Sequence, residues 1–259
     1  MGGNKRQREL ARLKYERQQQ RRAKQHRRAR VRTRVAMATL GVVAVVAGAL
    51  FVGSLFGDDN GDAAANQDTS APPGQCDYRA VDRTESEVTP VGTPPPVAPL
   101  VPTVQAIVHT NKGNIELELD QAKAPCTVNS FVFLAENDYF DDTTCHRLLT
   151  GDAGGVLQCG DPSATGRGGP GYEFNDENLD GAVYTKGVLA MANSGPNTNG
   201  SQFFMVYSDS GFDPNYTPFG RITKGLDILT KVAEGGVTGP NNDQPKTKVT
   251  IKDVEIVRA

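Results

Sequence analysis

No tryptophan, three histidines and four cysteines occur in the 259 residues, and none of these scarce side chains is spaced for a metal. Zinc sites usually carry C-x₂₋₄-C or H-x₃₋₅-H pairs, and Cys145-His146 with a distant Cys159 offers neither. No metal and no cofactor are expected. A Gly-x-Ser-x-Gly nucleophile elbow is also missing, which removes the usual serine-hydrolase arrangement. The run GRGGPG from Gly166 to Gly171 has the letters of a dinucleotide loop. Such a loop must open a helix, whereas Pro170 and the aperiodic YEFNDEN follow here. Asp141-Asp142 reads as a solvated turn rather than an acid–base pair. There are no internal repeats, and no nucleic-acid partner is expected.

What is present is unevenly distributed. The net charge of −2 conceals a split, because residues 1–34 hold 14 of the 28 basic residues and only 2 of the 30 acidic ones. That segment is therefore +12 and the remainder −14, which argues for parts in different surroundings. Residues 35–56, VAMATLGVVAVVAGALFVGSLF, carry no charge. As a helix they would extend about 33 Å at ~1.5 Å per residue, enough for a bilayer core of ~30 Å. A cleavable signal peptide would have a shorter apolar region and a shorter basic flank, so a retained single span is expected. Lys and Arg excess marks the cytoplasmic side; the basic N-terminus, read as a helix, would stay inside and the C-terminal part outside. The basic segment could meet anionic lipid headgroups or act only as a topology signal.

Residues 57–102 read as a disordered linker, acidic at first and ending in TPPPVAPLVP, where Pro-rich chain is extended. A domain is expected over 103–259. VQAIVHTNKGNIELELD alternates apolar and polar residues on both sides of a turn at Asn111–Asn114, the pattern of paired strands. APCTVNSFVFLAEN reads as a helix with Pro125 in its first turn, and GLDILTKVAEG as a second. Short strands are expected at TCHRLL, VLQCG, GVLAMA, SQFFMVY, TPFGRI and TKVTIKDVEIV. Many short strands with two helices imply a closed or nearly closed β-barrel.

The blocks MANSGPNTNGSQFFM, CHRLL…LQCGDP, GRGGPGYEF and YTPFG occur in an order and spacing that resembles the cyclophilins, the peptidyl-prolyl cis–trans isomerases. The resemblance covers Val104 to Arg258, and a single span before such a domain resembles membrane-tethered actinobacterial members. It implies a mainly β fold, an eight-stranded antiparallel barrel capped by two helices. It implies a groove that takes extended, proline-containing polypeptide, with Arg147, Gln158, Gln202 and Phe204 as catalytic residues. Val156, Gly166, Ala192, Asn193, Ser194, Phe212 and Tyr216 would bind substrate. Period-2 geometry agrees, since Gln202 and Phe204 share one strand face and Phe203 takes the other. By the same rule Arg147 and Leu149 share a face, and His146 points away as a structural hydrogen-bonding residue. The alternative function is a catalytically weak module that only binds Pro-containing segments.

Three departures from the family pattern stand out. The loop LLTGDAGGV is longer than usual, Gly155 falls where a pocket phenylalanine is expected, and Tyr216 replaces a histidine. A shallower proline site would follow from Gly155. The cysteines should face an oxidising compartment if the topology holds, and four allow three full pairings. With Arg147 directly opposite Gln158, Cys145 and Cys159 would point to opposite faces, so no bond between them is expected.

Overall fold

The computed structural model describes residues 74–81, 88–151 and 154–258. The basic segment 1–34 and the uncharged stretch 35–56 lie outside the described residues, among which no helix is long and apolar enough to cross a membrane. The described residues belong to one compact unit.

Its strands, in chain order, are β1 (Arg79–Ala80), β2 (Val104–Thr110), β3 (Gly113–Leu119), β4 (Arg147–Leu149), β5 (Gly155–Cys159), β6 (Tyr172–Glu173), β7 (Val188–Met191), β8 (Phe203–Ser208), β9 (Pro218–Lys224), β10 (Val237–Thr238), β11 (Gln244–Pro245) and β12 (Ile251–Val257). Eight of them form a curled antiparallel sheet in the order β12-β2-β3-β9-β7-β8-β5-β4, while β1 pairs with β6 and β10 with β11. β2 and β3 form a tight hairpin in which Thr110 faces Gly113. Gly113 has φ +128°, a region that disfavours side-chain-bearing residues. Alternation sends Val108, Ile115, Leu117 and Leu119 inward. Register irregularities at Ile251/Asp253, Glu116/Leu117, Gly155/Val156 and Leu189/Ala190 bend the sheet, as bulges do. Its two edges meet where Thr144 bridges Thr250 and the Cys145 N–H donates to the Val249 carbonyl at 3.0 Å.

Two helices cover the curl. Helix α1 (Pro125–Glu136) buries Val128, Phe131, Leu134 and Ala135 at helical spacing. Its first turn lacks a capping side chain of its own. Glu177 substitutes from a distant loop, accepting from the Cys126 N–H (3.0 Å), the Thr127 N–H (2.8 Å) and the Thr127 hydroxyl (2.7 Å). Helix α2 (Leu226–Glu234) buries Leu229 and Val232. The fold is thus the expected mainly β one with two helices.

Strands β5, β7 and β8 differ from the rest in being apolar on both faces. Leu157, Leu189, Phe203 and Met205 join the central core. Val156, Ala190, Phe204 and Val206 form a second cluster on the opposite face. Strands buried on both sides read as unbroken apolar runs, and this second cluster underlies the candidate site.

Two expectations need correction. Residues 74–81 and 88–102, within the stretch expected to be a disordered linker, lie along the domain as an arm. Strand β1 pairs with β6, and Cys76 is bonded to Cys126. Proline content hides this because prolines cannot donate but their carbonyls still accept. Pro96 receives the Cys76 N–H at 2.8 Å, and Pro95 receives the Asn129 side chain at 2.9 Å.

The second correction is the disulfide Cys145–Cys159, which is present. The expected register does hold, for Arg147 opposes Gln158. The His146 N–H also donates to the Gln158 carbonyl, at 3.1 Å. Two residues therefore oppose one, and this bulge brings Cys145 round to the face of Cys159.

Candidate active site

Gln158 sits in β5 between Arg147 of β4 and Phe204 of β8. The guanidinium of Arg147 stands in solvent, its side chain 46% exposed, with its Nε 4.0 Å from the Asp243 carboxylate. Asp243 also anchors the backbone beneath, its carbonyl accepting the Leu148 N–H at 2.6 Å. Gln158 donates from Nε2 to Gln202 Oε1 at 2.8 Å, and Gln202 donates in turn to the Gly168 carbonyl at 2.9 Å. Each glutamine is thereby held in one orientation, which a free amide would not be.

Beside this polar row lies an apolar patch. Val156 and Phe204 supply its base, with Phe212 and Tyr216 packed against it. The four aromatic rings of Tyr184, Phe204, Phe212 and Tyr216 stand 5.5–6.1 Å apart in edge or tilted arrangements, a favoured geometry. The Tyr184 hydroxyl fixes the position of Tyr216, donating to its carbonyl at 2.7 Å and accepting its N–H at 2.9 Å.

The glutamines also line a groove of about 180 Å³. Arg147, Gln158, Gly166, Ala192, Asn193, Ser194 and Gln202 all line it. The polar loop from Gly195 to Gly200 is held by side chains within and beside it. Thr198 accepts the Ser194 N–H at 2.9 Å, and Asn193 donates to the Asn215 carbonyl at 2.7 Å. The glycine wall, Gly166 to Gly171, is organised by Asp161. Its buried carboxylate accepts from the N–H groups of Ser163 (2.8 Å), Gly166 (2.7 Å) and Gly168 (3.1 Å). Burial pushes this carboxyl up, but these bonds and that of the Ser163 hydroxyl outweigh it and leave its pKa below the usual value. A side chain at Gly168 would place its Cβ 1.9 Å from the Asp161 oxygen, which accounts for the glycine.

All eleven anticipated residues therefore belong either to the groove or to the apolar patch, and Ala192 belongs to both. Two expectations about neighbours need revision. Neither ring nitrogen of His146 has a hydrogen bond of regular geometry among the described residues. The Gln202 side chain still favours the protonated ring, but burial is the larger effect and holds its pKa below the ordinary value. Gly155 does not form a pocket wall. A Cβ there would instead stand 2.5 Å from the Tyr207 ring, and Tyr207 packs toward the central core. Gly155 leaves room for Tyr207, whose hydroxyl donates to the Leu149 carbonyl at 2.6 Å. Asp161, Tyr184 and Asp243 are absent from the anticipated set. Each is a single polar residue in a loop, and no local pattern points to it.

Among the described residues no group of three or more His, Cys, Asp or Glu could hold a metal ion. The site offers a fixed cation, oriented amides and an apolar recess. It presents no nucleophile–base pair.

Residues 105–256 match the family model of cyclophilin-type peptidyl-prolyl cis–trans isomerases. The chain is 51% identical over 180 residues to a probable peptidyl-prolyl cis–trans isomerase B of Mycobacterium leprae, covering 62% of this chain and 61% of that protein. It is 52% identical over 172 residues to the corresponding Mycobacterium tuberculosis protein, covering 60% and 56%. The chain thus spans about three fifths of the length of these curated relatives. Among solved structures, a cyclophilin-type isomerase of Cryptosporidium parvum superposes with a TM-score of 0.55 at 30% identity, covering 61% of this chain and 99% of that one.

Proposed function

Since the chain belongs to the cyclophilin-type peptidyl-prolyl cis–trans isomerase family, we propose that it catalyses cis–trans isomerisation of X–Pro bonds in polypeptides. The observation that carries this is the arrangement around Gln158. A solvent-facing guanidinium and two locked amides stand beside an apolar recess lined by Val156, Phe204, Phe212 and Tyr216.

The X–Pro bond rotates slowly because resonance gives it a barrier of ~18–20 kcal/mol. Nothing need be broken. The proline ring sits in the apolar recess, and the chain lies extended across Ala192, Asn193 and Ser194. Arg147 then places N–H donors beside the imide nitrogen, favouring its pyramidal, non-resonant form. Gln158 and Gln202 hold the neighbouring carbonyl still. A guanidinium suits this because it is always charged and donates from a fixed fork. The alternative, a module that binds proline without turnover, draws on Gly155 as a pocket defect. That support is gone, because Gly155 faces Tyr207.

The substrates we propose are exported or cell-envelope proteins, with the chain held by its uncharged stretch 35–56, basic end inside and domain outside. The charge asymmetry supports this orientation, and two disulfides support an oxidising compartment. Anionic lipid headgroups are the partner proposed for the basic segment.

The test is isomerase turnover of a proline tetrapeptide by the full-length chain. A fragment beginning at Thr103 would lack the arm and one disulfide. Measurable kcat/KM supports the reading; binding without turnover would favour the alternative.

A further inference from the structure

The arm that precedes the family-matched residues 105–256 does more than lie on the surface. It enters the groove. Val81 lines the same space as Arg147, Gln158 and Gln202. It is carried there by β1, whose Arg79 and Ala80 pair with Glu173 and Tyr172. The Val81 N–H then donates to the Gly171 carbonyl at 3.2 Å, and after residues 82–87 the Thr89 N–H donates to the Gly169 carbonyl at 3.0 Å. The arm thus hydrogen-bonds to the glycine wall at two places, antiparallel at β1 and parallel at Val88.

The arm is also tied to the 194–198 loop. Arg79 donates to the Asn197 carbonyl at 2.8 Å and to Asn175 Oδ1 at 2.7 Å. Asn197 belongs to the loop that carries Ser194 and Thr198 into the groove. Upstream, Tyr78 stacks edge-on against Tyr172 and Phe174 and donates to the Cys126 carbonyl at 2.8 Å. The Cys76–Cys126 bond ties the arm to α1. A segment held at so many points presents a side chain in a defined place rather than sweeping across it.

We propose that Val81 is a specificity-determining residue. It lines the groove beside Gly171 and limits the size of one substrate side chain flanking the X–Pro bond. The groove also presents five glycines, Ala192 and three small hydroxyl residues, so an apolar branched side chain among them narrows the space left. A short side chain fits against Val81 and a bulky one does not. The proposal rests on the isomerase reading for its assay but not for its geometry.

The experiment uses the full-length chain, Val81→Ala and Val81→Phe. Tetrapeptides carry Ala or Phe at each of the two positions before proline and the one after it. The expected result is that Val81→Ala raises the Phe-to-Ala ratio of kcat/KM by about fivefold at one of those positions only, with Val81→Phe lowering it there. Peptide mapping of the Cys76–Cys126 bond confirms that the arm is in place. Ratios that stay the same at every position in both variants would overturn the proposal. Were turnover absent altogether, the isomerase reading would fail by itself, and the same ratios taken from Kd would still decide the role of Val81.

Discussion

Replacing both Cys145 and Cys159 by Ala removes a cross-link that closes a 14-residue separation. Alanine is the right choice because both positions are buried, where a serine hydroxyl would lack an assured partner. Loop-closure entropy assigns about 3 kcal/mol to a loop of ~15 residues. For a domain of this size each kcal/mol corresponds to roughly 2–4 °C, so Tm should fall by about 6–12 °C. The cross-link also borders the bulge at His146 and Arg147, and its loss should loosen β4 before the rest of the sheet. Thermal melts of wild type and the double variant, with hydrogen exchange at Leu148 and Gln158, measure both effects. An unchanged Tm, when mapping shows the bond intact in wild type, would refute the reasoning. So would a bond that mapping fails to find.

Gly155→Phe should destabilise, because its Cβ meets the Tyr207 ring at 2.5 Å; overpacking of this kind costs roughly 1–3 kcal/mol, and a variant that melts like wild type with a lower KM would restore Gly155 to the pocket. Tyr184→Phe leaves the Tyr216 N–H and carbonyl without their partner. It should cost about 1–3 kcal/mol and raise KM more than it lowers kcat; a change confined to kcat would contradict the anchoring role. Burial holds His146 below its ordinary 6.5, so on acidification the unfolded chain takes up a proton that the folded one resists. Stability from this source is full above about pH 6.5 and declines below it. His109 runs the other way: its bond to Glu255 holds its pKa up, and its contribution fades as pH rises through that value. His146→Asn should therefore flatten the loss of Tm between about pH 7.5 and 5.5, and an unaltered Tm–pH curve would contradict the burial argument.

The range over which each signal acts decides how much of this was legible in the sequence. Strand alternation is local, so the opposite orientations of Phe203 and Phe204 could be read directly, whereas the opposition of Arg147 to Gln158 was a premise that came with the family resemblance. The Cys145–Cys159 bond could not, because a single bulged residue reverses the face of everything beyond it, and nothing in CHRLL announces a bulge. The arm was hidden by composition. TPPPVAPLVP looks like a linker, and what anchors it is a set of carbonyls, a distant cysteine and Tyr78, whose partners lie dozens of residues away. Gly155 shows the limit of matching positions by pattern: the residue aligned, but Tyr207 occupies the space its side chain would need. Asp161 and Tyr184 act through several backbone groups at once, an arrangement only the folded chain displays.

In this mechanism a fixed positive charge at Arg147, without proton transfer, lowers the rotation barrier. The most direct measurement is kcat/KM for wild type, Arg147→Lys and Arg147→Ala across about pH 6–9, with Tm taken for each. The wild-type profile should be flat, because no proton is transferred in the step. A loss of roughly 10²–10³-fold is expected in Arg147→Ala, by analogy with removal of a transition-state donor, with only partial recovery in Arg147→Lys. Tm should be little changed, because the side chain stands in solvent. A wild-type rate in Arg147→Ala would remove Arg147 from the mechanism, and a bell-shaped wild-type profile would mean that a proton moves after all.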